Sequence, residues 1–100
     1  MAALGDAGNV QNTALSILSQ KGYQIWQDES GEYGAEKNGW DFYANSPVTL
    51  LGLIAIYEFK QPSKYSPDWW FQDNDPNIMG FNLPDKPNSY MSVKTAFLKK

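Results

Sequence analysis

The first apolar pattern in the chain has helical spacing, and its members are Val10, Ala14, Ile17 and Leu18. Asn9 precedes the pattern and is a residue type that commonly caps helix N-termini. Gly22 follows it, at a position where glycine often ends a helix, and Lys21 suits the negative end of the helix dipole. The sequence therefore predicts a helix over residues 10–21, after a loose lead-in of residues 1–8.

Three stretches with strand-like composition follow, over residues 23–27, 32–37 and 40–44. The first two are separated by residues 28–31, an acidic start followed by glycine, which is typical of a turn. The last two are separated by Asn38-Gly39, a pair that favours the type I′ turn because both of its central residues need positive φ. Two short turns between three strands predict an antiparallel meander.

A second helix is predicted over residues 47–60. Ser46 is a good cap, Pro47 is tolerated at the first helical position, and Pro62 follows the end of the pattern. This helix is apolar nearly all round: Val48, Leu50, Leu51, Leu53, Ile54, Ala55, Ile56, Tyr57 and Phe59. We expect it to be covered on more than one side, with Gly52 letting another backbone come close.

The last third of the chain changes character, because residues 61–88 hold five of the six prolines. This segment is also rich in aromatic residues: Tyr65, Trp69, Trp70, Phe71 and Phe81. Aromatic residues argue against disorder, so we expect an irregular but ordered arm laid over the apolar helix. Tyr90, Val93 and Phe97 predict a short terminal helix. The whole pattern predicts one small α+β domain, a three-stranded antiparallel meander flanked by helices (α-β-β-β-α).

Composition excludes several kinds of chemistry. The 100 residues include 8 lysines, 11 carboxylate residues and no arginine, histidine or cysteine, for a net charge of −3. These absences exclude a zinc finger, a thiol nucleophile, a disulfide framework and a Ser-His-Asp triad. Any acid or base would have to be Asp, Glu, Lys or Tyr, so an enzyme is less expected than a binding protein, and no cofactor is expected.

The same features bear on compartment and partners. Residues 1–9 lack the charge and apolar run of a secretory signal, and the longest apolar run, residues 48–57, is about half of what a membrane-spanning helix needs. An acidic balance disfavours nucleic acid and anionic lipid, both of which attract clustered positive charge. We expect a cytoplasmic protein that binds neither nucleic acid nor membranes.

The order of helix, three strands and helix resembles the layout of double-stranded RNA-binding domains and of small toxin–antitoxin partners. RNA-binding domains of that type present lysines at the start of their second helix. The corresponding positions here are Ser46, Pro47, Val48 and Thr49, which carry no positive charge. The resemblance is therefore one of element order only, and RNA binding is not expected.

One segment suggests a cation site, since Asp73, Asp75 and Asn77 alternate like the opening of a calcium-binding loop. The pattern then departs from such loops, with Ile78 where glycine is needed and Pro84 where a bidentate glutamate should close the site. An Asx-rich turn explains the same residues, so no metal is predicted and cation binding stays open.

A set of carboxylates could support glycoside hydrolysis if two of them lay about 5–10 Å apart beside an aromatic platform. Its members are Asp28, Glu29, Glu32, Glu36 and Asp41. On a meander, Glu32 and Glu36 lie on the face opposite Tyr33 and Ala35. We interpret the set as a solvated acidic face.

The best functional candidates are the aromatic residues Tyr65, Trp69, Trp70 and Phe71. They either cover the apolar helix or form a binding surface, and we expect Trp69 to face inward and Trp70 outward because neighbours in an extended segment point to opposite sides. The predicted function is non-enzymatic: a subunit, adaptor or inhibitor that binds another protein or a second copy of itself. The alternative is a small-molecule or carbohydrate binder, or a weak hydrolase, that uses Trp69 and Trp70 as a stacking platform near Asp68, Asp73 and Asp75.

Overall fold

The computed structural model describes residues 4–5, 7–72, 83 and 85–86. The chain divides into two compact units, one formed by Asp6–Trp70 and the other by Met1–Gly5 together with Phe71–Lys100. The described helices and strands all lie in the first unit, in the order α1 (Gly8–Gln20), β1 (Gln24–Gln27), β2 (Tyr33–Lys37), β3 (Trp40–Ala44) and α2 (Pro47–Lys60).

The predicted α+β class is confirmed. The three strands form one antiparallel sheet in the order β1-β2-β3, with a helix before and a helix after it. The predicted terminal helix, with Tyr90, Val93 and Phe97, lies outside the described residues, as does most of the arm beyond residue 72.

Helix α1 begins two residues earlier than predicted. Its cap residue is Ala7, which has an extended backbone, and the helix begins at the next residue, Gly8. The Ala7 carbonyl accepts a hydrogen bond from the Val10 amide at 3.1 Å. Asn9 is therefore not the cap, because its backbone is already helical and its own carbonyl accepts from the Thr13 hydroxyl. The predicted end is close to correct, with the helix ending at Gln20 and Gly22 adopting a φ of 92°.

Turn chemistry sets the register of the sheet. Asn38 and Gly39 have φ values of 54° and 86°, as a type I′ turn requires, and they leave Lys37 opposite Trp40. The Glu36 carboxylate accepts a hydrogen bond from the Gly39 amide at 2.9 Å. The turn predicted at Asn38-Gly39 is thus confirmed. Strands β1 and β2 begin one residue later than predicted, at Gln24 and Tyr33.

The first turn is held by a single carboxylate. Asp28 Oδ1 accepts hydrogen bonds from the Ser30 hydroxyl at 2.7 Å, from the Ser30 amide at 2.9 Å and from the Glu32 amide at 3.0 Å. These donors favour the charged form and hold the pKa of Asp28 below its usual range, and the bond from the Ser30 hydroxyl has the largest effect. Asp28 therefore has a structural role in the turn.

The core lies between α2, α1 and one face of the sheet, which we call the inner face. The inner face contributes Ala35, Phe42 and Ala44, and the buried cluster also includes Leu18, Tyr23, Leu50 and Ile54. Alternation along β3 puts Trp40, Phe42 and Ala44 on this face, as the sequence predicted. Helix α2 is therefore covered by the sheet on one side and by α1 on another.

One stripe of α2 remains exposed, contrary to the expectation for Gly52. A Cβ placed on Gly52 would meet nothing within 4 Å, so no other backbone approaches it within the described part of the chain. Ile56 is 43% exposed and Phe59 75% exposed, and with Gly52 they share one helical face through spacings of four and three residues. Helix α2 thus has more apolar side chains than the core buries.

None of the helices in the described part of the chain has the length and apolar character needed to cross a bilayer.

The opposite face of the sheet, here called the outer face, carries an aromatic pair. Trp26, Gly34 and Tyr43 lie side by side across the three strands. The Trp26 ring rests on Gly34, since a Cβ there would fall within 2.6 Å of three ring atoms. The same ring meets Tyr43 edge-on, with centroids 6.0 Å apart. Glycine at position 34 is therefore required by the packing of Trp26.

Two isoleucines on α2 provide a matched test of this core. Ile54 is fully buried and Ile56 is partly exposed. We expect Ile54→Ala to lower the free energy of unfolding by about 2–5 kcal/mol, and Ile56→Ala by less than about 1 kcal/mol. Urea denaturation of both variants checks this, and equal losses would mean that α2 packs differently.

Two glycines give a second test with opposite signs. Gly52→Ala should raise the free energy of unfolding by about 0.5–1 kcal/mol, because alanine favours a helix and the site is open. Gly34→Ala should lower it by about 1–3 kcal/mol, because the new methyl group displaces the Trp26 ring. Denaturation midpoints that shift in the same direction would contradict the packing at one of these positions.

Candidate functional site

A groove of about 440 Å³ runs along β3, and we call it the edge groove. Its lining residues come from β3, from α2 and from the segment after α2: Asp41, Phe42, Tyr43, Leu53, Ile56, Trp69 and Trp70. Apart from the carboxylate of Asp41 and the polar tips of the aromatic rings, its side chains are apolar.

The groove opens on the edge of the sheet rather than on one of its faces. Asp41, Phe42 and Tyr43 are consecutive in β3, and consecutive side chains of a strand point to opposite faces. All three can line one groove only where it reaches the strand's own backbone. β3 is an outer strand of the three-stranded sheet, so this backbone is at an edge.

Trp69 and Trp70 are placed by a turn. The Ser66 carbonyl accepts from the Trp69 amide at 3.1 Å, and the Ser66 hydroxyl donates to Asp68 Oδ1 at 3.2 Å. Pro67 lies at the second position of this turn, where its fixed φ is favourable. The segment is therefore not extended, and the assumption behind the predicted alternation of Trp69 and Trp70 was wrong.

The two tryptophans nevertheless face as predicted. Trp69 is half-buried and packs against Trp40, Tyr57 and Phe42, with ring centroids 5.5, 6.0 and 6.3 Å apart. Trp70 is 56% exposed and forms part of the wall of the edge groove. Trp69 thus joins the segment to the core, and Trp70 presents its ring beside β3.

The other two predicted aromatic residues lie elsewhere. Tyr65 is mostly exposed, with its ring 6.4 Å from that of Trp40, and it lines a smaller hollow of about 290 Å³ together with Lys64. Phe71 is exposed as well, and it belongs to the unit that contains residues 71–100. Of the four predicted residues, Trp69 and Trp70 are brought together in the edge groove.

A negative field surrounds Tyr43. Its hydroxyl donates to Asp41 Oδ2 at 3.0 Å, and this hydrogen bond is the main cause of a raised pKa of Tyr43. Partial desolvation also raises the pKa, as do the negative charges of Asp41, Glu32 and Asp28. The aromatic pair of the outer face is therefore bordered by carboxylates.

The carboxylates singled out for hydrolysis have local roles. Asp28 holds a turn, Glu36 accepts from the Gly39 amide and Asp41 accepts from Tyr43. Among the described residues, no cluster of three or more metal-ligating side chains occurs. Asp73, Asp75 and Asn77, the candidate cation ligands, lie outside the described residues.

Sequence reasoning missed the contribution of β3 and α2 to the groove. Phe42 and Tyr43 were predicted only as strand residues, Asp41 as part of a solvated acidic face, and Leu53 and Ile56 only as part of a covered apolar helix. The sequence did hold a signal for this groove. A meander always leaves its third strand at an edge, and α2 has more apolar residues than its contacts with the sheet and with α1 can bury.

Comparison of the chain with protein-family models, curated proteins and solved structures found no match.

Matched tryptophan variants test the geometry of the site. Trp69→Ala should lower the free energy of unfolding by about 2–4 kcal/mol, since it removes a ring that packs on three others. Trp70→Ala should change it by less than about 1 kcal/mol, since most of that ring is exposed. Thermal and urea denaturation check both, and a large loss for Trp70→Ala would place that ring in the core.

Proposed function

We propose that this chain is a non-enzymatic interaction domain and that its edge groove binds a segment of another protein. The observation that supports this most directly is the set of large apolar side chains that stay exposed around one groove. Trp70 and Ile56 line it, and Tyr43 is 47% exposed beside them. Contiguous exposed apolar surface of this kind is typical of a binding site, and tryptophan and tyrosine are enriched among residues that dominate binding energy.

The character of the groove favours a protein segment over a small ligand. Small-molecule sites usually enclose most of the ligand and aim several polar groups at it. The edge groove is open along β3, and Asp41, the one ionised side chain among its described lining residues, already accepts a hydrogen bond from Tyr43. An elongated partner that covers the rims as well as the floor would bury more of the exposed apolar surface.

A small-molecule or carbohydrate ligand is the second candidate. A volume of about 440 Å³ is in the range of small-ligand pockets, and Trp69 and Trp70 supply aromatic walls. A sugar ring stacked on Trp70, with a hydroxyl donated to Asp41, would use the same residues. The two candidates therefore differ in the ligand and share the site.

Affinity capture with matched variants tests the proposed function. The full chain and Trp70→Ala are immobilised, with Ile17→Ala as the control, because Ile17 is a partly exposed apolar residue of α1 outside the groove lining. We expect a protein retained by the full chain and by Ile17→Ala to bind Trp70→Ala at least about 30-fold more weakly, as for a residue that contributes 2 kcal/mol or more. Titration of the purified partner gives the dissociation constants.

The contrary outcomes are distinct. Equal retention of the captured protein by all three immobilised proteins would mean that it does not bind at the edge groove. Micromolar binding of an oligosaccharide or small metabolite, lost in Trp70→Ala, would support the second candidate. A dimer of the full chain in sedimentation equilibrium that Trp70→Ala converts to a monomer would show that a second copy occupies the groove.

A further inference from the structure

We propose that β3 recognises its partner by strand addition: an extended segment with alternating basic and apolar side chains pairs with the edge of β3 that faces away from β2. This inference rests on the proposed function and specifies how the partner is held. Main-chain hydrogen bonds would supply affinity, and the two faces of the added strand would supply specificity.

The hydrogen-bonding pattern of the sheet shows which main-chain groups of β3 point away from β2. The Asp28 amide donates to the Glu32 carbonyl, so Glu32 bonds toward β1. Hydrogen-bonded pairs alternate along antiparallel strands, so the main-chain groups of the other even-numbered residues of β2 also bond toward β1. The odd-numbered positions of β2 then bond toward β3, which agrees with a two-residue turn closed by Lys37 and Trp40.

The same pattern continues across β3. Trp40, Phe42 and Ala44 face odd-numbered residues of β2 and use their main-chain groups in those pairs. The amides and carbonyls of Asp41 and Tyr43 therefore point away from the sheet. Within the described part of the chain, no backbone hydrogen bond reaches them from outside the sheet. They form a two-residue template for another strand.

The inner side of an added strand would lie over the edge groove. A strand paired with β3 runs about 4.8 Å from it, and a residue opposite Phe42 points to the same face as Phe42. That side chain would meet Leu53, Ile56 and Trp70, which line the groove. An apolar residue is required there, because a polar one would lose its hydration against apolar walls.

The outer side of the added strand requires the opposite chemistry. Residues opposite Asp41 and Tyr43 point to the outer face, beside the Tyr43 ring and its carboxylate neighbours. The Trp26 ring, edge-on to Tyr43, extends this aromatic surface. Lysine or arginine side chains at these positions would gain ion pairs and cation–π contacts.

Charge also distinguishes a different protein from a second copy. Pairing β3 with β3 of a second copy would place two sets of Asp41, Glu32 and Asp28 carboxylates on one shared face. Like charges brought across an interface are unfavourable, whereas a basic strand neutralises them. The occupant we infer is therefore a basic-apolar-basic segment of another protein.

A random decapeptide display library selected against the immobilised full chain tests this inference without knowledge of the natural partner. We expect enriched peptides to alternate basic and apolar residues. A synthetic copy of the most enriched peptide is then titrated into the full chain labelled with ¹⁵N. At a peptide concentration ten times the dissociation constant, exchange of the Asp41 and Tyr43 amide hydrogens should slow about tenfold.

Variants of β3 separate the main-chain contribution from the side-chain contributions. Tyr43→Pro removes the outward amide, and proline is tolerated on an edge strand where the amide faces solvent. Tyr43→Val is the matched control, since it removes the ring and keeps the amide. We expect Tyr43→Pro to bind the peptide at least about tenfold more weakly than Tyr43→Val does. Asp41→Asn should weaken binding about two- to fivefold and reduce its salt dependence.

The outcomes distinguish this inference from the function on which it rests. Peptides that bind the full chain and lose binding in Trp70→Ala, with no slowing at Asp41 and Tyr43, would overturn strand addition and leave the groove as the binding site. No enriched peptide, or binding unchanged in Trp70→Ala, would overturn both. Slow exchange of both amides in a dimer of the free chain would show that a second copy occupies the edge. If Tyr43→Pro fails to fold, exchange in the unsubstituted chain decides.

Discussion

The register between β2 and β3 determines which side chains the rest of the structure can use. Asn38 and Gly39 fix it by placing Lys37 opposite Trp40, and each following pair is then set. Because side chains alternate along a strand, a slip of one residue would move Phe42 and Ala44 to the outer face and Tyr43 to the core. The buried cluster with Leu50 and Ile54 would then have no sheet to pack on. The edge groove depends on the same register.

The fold was predictable because its signals are local. The turn at Asn38 and Gly39, the cap at Ser46 and the periodicity of the helices each involve a few neighbouring residues. The predicted cap of α1 was wrong for a related reason. Asn9 has the right residue type, but the helix extends past it to Gly8 without any side-chain cap. Boundaries depend on small differences in free energy that residue type alone does not resolve.

The site was harder to predict because it is a tertiary feature. The aromatic pair at positions 69 and 70 stood out in the sequence, and its inward and outward placement was correct. The reason given for it was wrong, since Pro67 and the Ser66 carbonyl make a turn there. The contributions of Leu53 and Ile56 depend on how α2 is rotated over the sheet. That rotation follows from which side of a nearly uniformly apolar helix packs best, and helical periodicity is weak in such a sequence.

The open edge of β3 carries a risk as well as a capacity for binding. Among the described strands only β2 pairs with β3, and an exposed strand edge that bears Phe42 and Tyr43 is the kind of template from which proteins aggregate edge to edge. Asp41 lies in the middle of that edge, on the same face as Tyr43, and each copy that approached would bring a carboxylate to the same place. A charge at such a position acts as a gatekeeper, because it leaves the edge usable by a complementary strand and discourages stacking of identical chains. Solubility and recognition would then depend on the same side chain, so changes at position 41 that strengthen contact with uncharged partners would also favour aggregation.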